Sequence, residues 1–503
     1  MALLIVDIGT SGTKAVLFSE NGNIIALSYQ DYPLIYPKPG WVEIDAETIW
    51  EAFRKTVCEV ANKHQKEIKA LCISCMGNSI VPVRKDGKAI RNSIMAFDTR
   101  NIEEVDMISH AIGEKAYFQI RGGQSGPWIG ESKILWLKRN EPETFSQTWK
   151  FMTFADFIQT RLGFPAVIDY STAATSLPYD IKKLEYSEPL MREFGLNRQM
   201  FSEPVPSGIV LGEIGLEVRT ELCLPKGVKV VSGGHDAPCG LLGAGVTKAT
   251  PEVLADISGT FESVGCIRAK PDLTQQAFNA GVASRCNITR GTYVLMASSP
   301  TSGSIIRWFR DEFAHEERMT AEEEKANAYN IMFAPLKFDG GTVMVIPYFS
   351  GKAGDPYAKG AFMGLTLSTS RQQMLQGIVE GVTYEMKALA GQLEAISEMP
   401  IDVIRSFGGP TKSLKWLQLK ADISGKKVEA LHVEEASALG AAILAGVATG
   451  VYDSYEQAIK ATVKIKVTYQ PRPEIRQIYE HHYAIYKQLV EALKPLNKRL
   501  YYI

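Results

Sequence analysis

The chain has 503 residues, of which 45% are hydrophobic and 22% charged, and its formal net charge is −1. This composition is that of a soluble globular protein, and the length predicts about two to four domains. Because the net charge is close to zero, no basic field is available to hold a polyanion, and a nucleic-acid partner is not expected.

The lack of a recognisable targeting signal and the pattern of cysteines both predict a cytoplasmic protein. The apolar run at 3–6 is followed directly by Asp7, without the basic segment of a signal peptide. The uncharged run at 436–451 is short for a bilayer span and rich in Ala and Gly, so it predicts a buried helix and no membrane association. Seven cysteines are scattered along the chain. Cys72 and Cys75 form a CxxC pair inside an apolar run, which predicts buried, reduced thiols rather than metal or redox chemistry.

The first elements predict a three-stranded meander. Apolar runs at 3–6 and 15–18 are separated by glycines and hydroxyl residues, and a third run at 24–27 follows an Asn-Gly-Asn turn sequence. Helical spacing at 46–63 and a strand-like run at 68–74 come next. The continuing alternation of strands and helices predicts an α/β architecture.

A second copy of the opening pattern begins near the middle of the chain. After a strand predicted at 228–231 and a helix at 237–243, residues 253–260 repeat the pattern of residues 5–10, which is an apolar run, an aspartate and Gly-Thr. We therefore place a domain boundary near residue 247, with domains at 1–246 and 247–503. Later patterns predict a strand at 403–407, helices at 414–423 and after Glu434-Glu435, and an amphipathic helix at 474–500.

The first candidate site is the hairpin that follows Asp7. Glycines let the backbone approach phosphate oxygens closely, and hydroxyl groups add donors. Asp7, at the end of a buried strand, could hold Mg²⁺ or its water, while Lys14 could face phosphate. The alternative is a plain β-hairpin whose turn needs glycine, and the spacing is not that of a Walker A loop. The candidate phosphate-binding residues are Asp7, Gly9, Thr10, Ser11, Gly12, Thr13 and Lys14.

The second candidate site is Asp236, at the turn from the strand at 228–231 into a helix. A carboxylate in this position can be aimed into a cleft and act on a hydroxyl group. The alternative is a helix N-cap, since an aspartate followed two residues later by Pro238 is ordinary at a helix start. His235 is interpreted as a hydrogen-bonded neighbour.

Three weaker signals complete the set. Ser258-Gly259-Thr260 and Gly408-Gly409 are glycine-rich turns of a common kind. Asp98 and Arg100 offer an acceptor and a fork of donors for polyol hydroxyls, with a surface ion pair as the alternative. A dinucleotide site is not expected, because the glycines after Asp236 have the order GxxGxG instead of GxGxxG.

Taken together, these segments resemble the FGGY family of carbohydrate kinases, which belongs to the actin- and hexokinase-like ATPases. The resemblance is collinear and spans nearly the whole chain. It includes the first phosphate hairpin (7–14), residues 40–43, Phe97-Asp98-Thr99-Arg100, residues 133–137, Gly234-His235-Asp236, Ser258-Gly259-Thr260, residues 360–365 and 380–382, and the adenosine-binding segment from Gly408-Gly409 to 422, followed by 438–442.

Departures from the family pattern bear on the substrate. Phe97 stands in place of a tryptophan, and residues 74–79 (Ser-Cys-Met-Gly-Asn-Ser) replace the QMHG segment of xylulokinases. Gly-His-Asp236 together with Gly-Thr-Phe-Glu262 is similar to the fuculokinase-like branch.

The resemblance implies an α/β fold of two actin-like (ribonuclease H-like) domains, each a mixed five-stranded sheet flanked by helices, with an ATP and sugar cleft between them. ATP and Mg²⁺ are the implied cofactors, with Asp7 at the metal. The nucleotide site would add Ser258, Gly259, Thr260, Gly303, Gly408, Gly409 and Ser413 to the first hairpin. The sugar would contact Met76, Gly77, Asn78, Asp98, Arg100, His235 and Asp236, with Asp236 as the catalytic base.

The implied activity is phosphorylation of a hydroxyl of a small sugar, with a pentulose or hexulose such as xylulose, fuculose or ribulose expected. A polyol or sugar-acid kinase, acting on glycerol, erythritol or gluconate, is the first alternative. A non-catalytic, nucleotide-gated sugar-binding protein is the second, and a homodimer is left open. Only a kinase needs both Asp236 aimed at a hydroxyl and a polar sugar-binding floor.

Overall fold

The computed structural model describes residues 1–65, 67–352, 355 and 357–501, and the side chains of these residues except 410, 411 and 501. In the first half of the chain the strands are β1 (Ala2–Ile8), β2 (Gly12–Ser19), β3 (Ile24–Asp31), β4 (Glu43–Ile44), β5 (Ile68–Cys75), β6 (Val81–Val83), β7 (Ser93–Ile94), β8 (Lys150–Met152), β9 (Val167–Asp169), β10 (Tyr179–Asp180), β11 (Glu185–Tyr186), β12 (Glu203–Val205), β13 (Val210–Glu213) and β14 (Lys229–His235). The helices are α1 (Ala46–His64), α2 (Ile102–Ile112), α3 (Glu114–Arg121), α4 (Gly130–Asn140), α5 (Pro142–Gln147), α6 (Phe154–Arg161), α7 (Tyr170–Ser176), α8 (Glu188–Phe194), α9 (Leu216–Glu221) and α10 (Asp236–Gly243), with a short 3₁₀ helix at Arg198–Met200.

In the second half the strands are β15 (Val253–Ser258), β16 (Glu262–Arg268), β17 (Ala283–Cys286), β18 (Tyr293–Ser299), β19 (Met344–Ile346), β20 (Ala361–Met363), β21 (Val403–Phe407), β22 (Lys427–Leu431) and β23 (Ile465–Tyr469). The helices are α11 (Gln275–Asn279), α12 (Gly303–Phe313), α13 (His315–Glu324), α14 (Ala328–Phe333), α15 (Arg371–Ser397), α16 (Leu414–Ser424), α17 (Ala436–Ala448), α18 (Tyr455–Thr462) and α19 (Pro473–Tyr501), with a 3₁₀ turn at Gly409–Lys412.

The two halves contain the same five-stranded arrangement. In the first sheet β3, β2 and β1 form an antiparallel meander, and β5 and β14 follow in parallel with β1. In the second sheet β18, β16 and β15 form the meander, and β21 and β22 follow in parallel with β15. The duplicated pattern and the opening meander are therefore confirmed, while the boundary at residue 247 stays a prediction.

Each sheet is wider than the five strands expected. The first sheet has six strands because β13 is added antiparallel to β14. The second has seven because β17 and β23 are added antiparallel at its two edges. Such edge strands pair the N–H and C=O groups that a five-stranded sheet would leave open at its sides.

The two faces of the first sheet are covered by helices from opposite halves of the chain. Along β1, Leu4 and Val6 face a core shared with α1, whereas Leu3 and Ile5 face a core shared with α17 of the second half. This alternation is the two-residue period of a strand buried on both faces. In return, Leu241 of α10 packs against the second sheet. Each half thus supplies a helix that buries the other half's sheet.

The helices α10 and α17 touch each other directly through their backbones. A Cβ atom on Gly243 would lie 1.9 Å from the carbonyl oxygen of Ala436, and one on Gly440 would lie 1.8 Å from that of Cys239. Only glycine permits so close an approach. The helix α17 coincides with the uncharged run at 436–451, so the prediction of a buried helix is confirmed.

No helix in the described ranges combines the length and apolarity needed for a bilayer span.

Cys72 and Cys75 are buried free thiols in β5, as predicted.

We expect Gly440→Ala to lower the free energy of unfolding by about 1–3 kcal/mol, because the added methyl group forces α10 and α17 apart. Urea or thermal denaturation measures the effect. The matched control is Gly391→Ala on α15, where nothing lies within 4 Å of the added Cβ. That change should stabilise the protein by up to about 1 kcal/mol through helix propensity. Equal changes in the free energy of unfolding for Gly440→Ala and Gly391→Ala would contradict the conclusion that α10 and α17 touch through their backbones.

Candidate active site

The turn of the β1–β2 hairpin, residues 9–12, is held by backbone and tyrosine hydrogen bonds; we call it the N-turn. The Gly9 N–H donates to the Gly12 carbonyl at 3.0 Å, and the Tyr32 hydroxyl donates to the Gly9 carbonyl. A Cβ on Gly12 would lie 2.4 Å from the Tyr29 ring, so a larger residue would displace that ring. The side chains of Thr10 and Ser11 are exposed at the tip.

Lys14 and Thr13, on the β2 side of the N-turn, are partly or fully enclosed. Thr13 is fully buried. Lys14 Nζ lies 2.5 Å from Glu435 Oε2, just before α17, so this lysine bridges the two halves of the chain. Any contact of Lys14 with phosphate therefore competes with, or is shared with, Glu435.

Asp7 carries a carboxylate that is short of hydrogen bonds. Its Oδ1 atom is buried and accepts no hydrogen bond of normal geometry in the described part of the chain, although the Ser74 hydroxyl is close enough to lower the pKa of Asp7 somewhat. Burial raises the pKa of Asp7 to about 6, and the negative charge of nearby Asp236 contributes to the rise. A buried, unpartnered carboxylate oxygen beside a second carboxylate is an environment that a bound cation would stabilise.

Three parallel strands bring the candidate sugar and catalytic residues to one edge. Ile8 of β1 pairs with Cys75 of β5, and Cys75 pairs with His235 of β14. Met76, Gly77 and Asn78 leave β5 at this edge, and a Cβ on Gly77 would lie 2.7 Å from the His235 ring. The carboxyl ends of parallel strands are the usual ligand-binding edge of an α/β sheet.

Asp236 is the first residue of α10, and its side chain is 39% exposed. The residue in the capping position is His235, whose side chain makes no cap hydrogen bond. Asp236 Oδ1 accepts a hydrogen bond from the Ala237 N–H at 2.7 Å and lies 3.4 Å from His235 Nδ1. The carboxylate is thus held at a helix start while remaining accessible to a ligand.

Trp128 is an exposed aromatic residue that the sequence interpretation missed. Its side chain is 47% exposed, and its carbonyl accepts a 3.3 Å hydrogen bond from the Asn78 amide in the orientation that satisfies that amide. The same amide donates to the Thr175 carbonyl at 2.8 Å.

Lys133 Nζ donates to the carbonyls of Pro127 and Ile129, on either side of Trp128. Burial lowers the pKa of Lys133 to about 7.

The turn between β15 and β16, residues 258–261, gathers the glycines expected at the nucleotide; we call it the C-turn. The Gly303 N–H donates to the Gly259 carbonyl at 2.9 Å. Gly408, with a φ of +104°, lies so close that a Cβ would be 2.1 Å from the Ser258 carbonyl. Thr260 is exposed, whereas the side chain of Ser258 is buried beneath the turn. Its hydroxyl therefore does not face solvent.

Gly409 and Ser413 lie just beyond Gly408. Gly409 begins the 3₁₀ turn and is exposed, with nothing within 4 Å of an added Cβ. The Ser413 hydroxyl caps α16 by accepting from the Trp416 N–H at 3.4 Å. Ser413 thus has a structural role at the helix start, independent of any ligand.

Asp98 and Arg100 do not form an open sugar-binding floor, which corrects the expectation from the sequence. The alternative of an ion pair is correct except for its location, because both side chains are 0% exposed and the pair is buried. The Arg100 guanidinium donates to Asp98 and Glu43 at 2.8 Å each and lies 3.9 Å from the Trp41 ring centre. Because the guanidinium is buried and paired with these carboxylates, Arg100 does not present an open cation to a ligand.

We expect Arg100→Gln to destabilise the protein by about 3–5 kcal/mol, since it leaves Asp98 buried without its cation, whereas Glu43 keeps its ion pair with Arg91. Arg54→Gln is the control, because Arg54 pairs with Glu51 at 2.6 Å on the surface and its loss should cost less than about 1 kcal/mol. Chemical denaturation compares the two. A change in substrate KM at unaltered stability would instead restore the sugar-contact interpretation.

Comparisons with known proteins place this chain in a family. Residues 2–243 match the N-terminal domain of the FGGY family of carbohydrate kinases, and residues 254–449 match its C-terminal domain. The chain belongs to this family. The resemblance noted in the sequence is thereby confirmed, and the protein is a sugar or polyol kinase of the FGGY type, a family that uses ATP as its phosphoryl donor.

Relatives with different substrates are similar to the chain to the same degree. A xylulose kinase of Staphylococcus epidermidis is 28% identical, with 98% of this chain and 97% of the relative covered. A gluconokinase of Bacillus subtilis is 28% identical over 90% and 89%. A glycerol kinase of Thermococcus gammatolerans is 28% identical over 93% and 93%. Identity alone therefore does not select a substrate.

The fold is that of a solved kinase. The ligand-bound xylulose kinase from Lactobacillus acidophilus superposes with a TM-score of 0.87 at 22% identity, covering 98% of both chains. The expectation of two domains with mixed sheets flanked by helices is confirmed.

Proposed function

We propose that the protein transfers the γ-phosphoryl group of ATP to a hydroxyl of a small ketose in a cleft between its two halves. The observation that carries the proposal is the position of Asp236. Asp236 is the first residue of α10, and its carboxylate is accessible. It lies at the same sheet edge as Asp7 and the 76–78 segment. This arrangement supports the proposal, in which Asp236 is the proton acceptor, Asp7 the cation-binding carboxylate and residues 76–78 the polar floor.

Asp236 would orient the attacking hydroxyl and accept its proton. A carboxylate is a weak base towards a sugar hydroxyl. It can serve because the loose transition state of phosphoryl transfer needs the proton late, and correct positioning contributes most of the rate. His235, 3.4 Å away, restricts where the carboxylate can lie. Closure of the cleft would exclude water, a competing acceptor.

The N-turn and the C-turn would hold the phosphates from the two sides of the duplicated fold. Their exposed residues, Thr10, Ser11 and Thr260, offer backbone and hydroxyl donors. Gly303 and Gly408 would border the nucleotide, since both pack against the C-turn. Ser258 would contribute through its backbone alone, because its hydroxyl is buried.

Asp7 would hold Mg²⁺ directly or through a water molecule. The unpartnered Oδ1 atom and the raised pKa fit a carboxylate that becomes fully ionised when a cation is near. Bound there, Mg²⁺ would neutralise charge on the phosphate oxygens.

The sugar site would be formed by Met76, Gly77, Asn78, His235 and Trp128. Trp128 has a half-exposed ring, and its backbone carbonyl accepts from the amide of Asn78; such a ring suits the C–H face of a sugar. With Arg100 buried in ion pairs, this set contains no free cation for a carboxylate. We infer that neutral ketoses are favoured over gluconate. A cytoplasmic location, where thiols remain reduced, is part of the same proposal.

Asp236→Asn should reduce kcat by two or more orders of magnitude, about the scale of a positioned acid–base group, and leave ATP binding nearly intact. Asparagine keeps the shape of the side chain but cannot accept the proton. A coupled ADP assay and calorimetric titration with ATP measure the two effects. A loss of kcat of less than about tenfold would leave Asp236 with a structural role only.

Asp7→Ala should abolish Mg²⁺-dependent turnover while leaving the sugar affinity unchanged, because the carboxylate serves the metal and not the sugar. Calorimetry with sugar in the absence of nucleotide gives that affinity, and a Mg²⁺ titration of the rate gives the metal dependence. An equal loss of sugar affinity would contradict the assignment.

Among substrates, we expect L-fuculose, L- or D-ribulose or D-xylulose to give the highest kcat/KM, with phosphorylation at a terminal primary hydroxyl. The panel should include glycerol, erythritol and gluconate, the polyol and sugar-acid alternatives. If the kcat/KM for one of these three compounds exceeded that for every ketose by about tenfold, or roughly 1.4 kcal/mol of transition-state preference, the ketose assignment would be wrong. The assignment to the kinase class would stand. Absence of turnover with all of them would favour a non-catalytic binding protein.

A further inference from the structure

Four buried side chains form a network directly beneath the C-turn. Lys420 of α16 lies at its centre, and its Nζ atom donates to Asp256 Oδ2 at 2.6 Å, to Glu262 Oε1 at 3.0 Å and to the Ser258 hydroxyl. All four side chains are at most 2% exposed. Because Asp256, Ser258 and Glu262 belong to the two strands joined by the C-turn, the lysine holds both arms of that hairpin.

The network also reaches the other segments that surround the C-turn. The Glu262 Oε2 atom accepts from the Ser302 hydroxyl at 2.5 Å, at the residue before α12. The Ser406 hydroxyl donates to Asp256 from β21, two residues before Gly408. Lys420 itself lies on the helix that Ser413 caps. Every segment that we assign to the nucleotide in the second half is thus tied to this one cluster.

The charges of the network balance only when one carboxyl group is protonated. Two acids face a single cation, and the polar groups around Glu262 are Lys420 from α16, Asp256 from β15, and the hydroxyls of Ser258 and Ser302. Burial, reinforced by the charge of Asp256, raises the pKa of Glu262 to about 8. Burial opposes ionisation of Asp256 too, but the charge of Lys420 prevails and lowers its pKa. Near neutral pH the network therefore carries no net charge.

We propose that the Lys420–Asp256–Glu262 network positions the C-turn for nucleotide phosphates and keeps the space beneath it electrically neutral. The inference rests on the proposed role of the C-turn in ATP binding. Lys420 and Glu262 are positioning residues, because neither is exposed to a ligand. Ionisation of Glu262 places an uncompensated negative charge under the turn, which repels phosphate in a medium where charges are weakly screened.

The first experiment compares Lys420→Met with Lys387→Met. Lys387 is another largely buried lysine, paired with Glu480 at 3.0 Å between α15 and α19, outside the assigned nucleotide and sugar sites. Binding of the non-hydrolysable analogue AMP-PNP is measured by calorimetry, and KM values are measured for ATP and sugar. We expect Lys420→Met to weaken analogue binding and raise the KM for ATP by about tenfold or more, with sugar KM within about twofold. Lys387→Met should leave all three unchanged. Unaltered nucleotide affinity in folded Lys420→Met would overturn the inference.

The second experiment uses Glu262→Gln, which mimics the protonated, neutral side chain and should fold even where Lys420→Met does not. In the wild type, affinity for AMP-PNP should fall severalfold between pH 7 and pH 9.5, whereas in Glu262→Gln the pH 7 affinity is kept and the alkaline fall is lost. Matching pH profiles in the two proteins would overturn the inference. If the wild type binds AMP-PNP with the expected pH dependence but phosphorylates no substrate, the proposed function is wrong and the inference stands. If the wild type binds no nucleotide, both are wrong.

Discussion

The direct backbone contact between α10 and α17 is the constraint on which the rest of the structure depends. Glycines at 243 and 440 bring the two helices so close that each places a carbonyl where a methyl group would otherwise lie. The same helices bury the sheets of opposite halves, so the crossing fixes the relation of the two sheets. Since Asp236 begins α10 and Glu435 immediately precedes α17, the crossing also fixes the residues around the candidate site.

The duplicated topology explains why two unlike turns have related surroundings. The N-turn and the C-turn join the first two strands of equivalent meanders, and each follows a strand that carries an aspartate. The aspartates differ in their partners. Asp7 is left with an unpartnered oxygen, whereas Asp256 is paired with Lys420 and Ser406. In the second copy Lys420 provides the cation that faces the aspartate, and in the first copy the proposed function assigns that place to Mg²⁺.

Much of the fold could be predicted because its signals are local. The meander, the helix at 46–63 and the repeated Asp…Gly-Thr pattern depend on neighbouring residues, and the structure has all three. The edge strands β13, β17 and β23 are not predicted because four or five residues are too few to show a clear strand pattern. The site shows the same division. The prediction for Asp236 rests on a local motif, but the burial of Arg100 depends on Glu43 and Trp41, which lie far away in sequence. Neither the exposure of Trp128 nor the pairing of Lys420 leaves a pattern in the sequence.

The exchange of covering helices has a consequence for how the two halves can exist apart. A fragment ending at residue 246 would keep α10 but lose α17, and Leu3, Ile5, Val16 and Phe18 would lose the surface that buries them. The complementary fragment would keep α17 with its apolar face uncovered and would lack Leu241 against Val253 and Ala255. Each half alone would therefore expose apolar surface that the other half covers, despite its complete sheet. Mixed together, the two fragments carry interlocking apolar surfaces, and this chain is suited to complementation between separately produced halves.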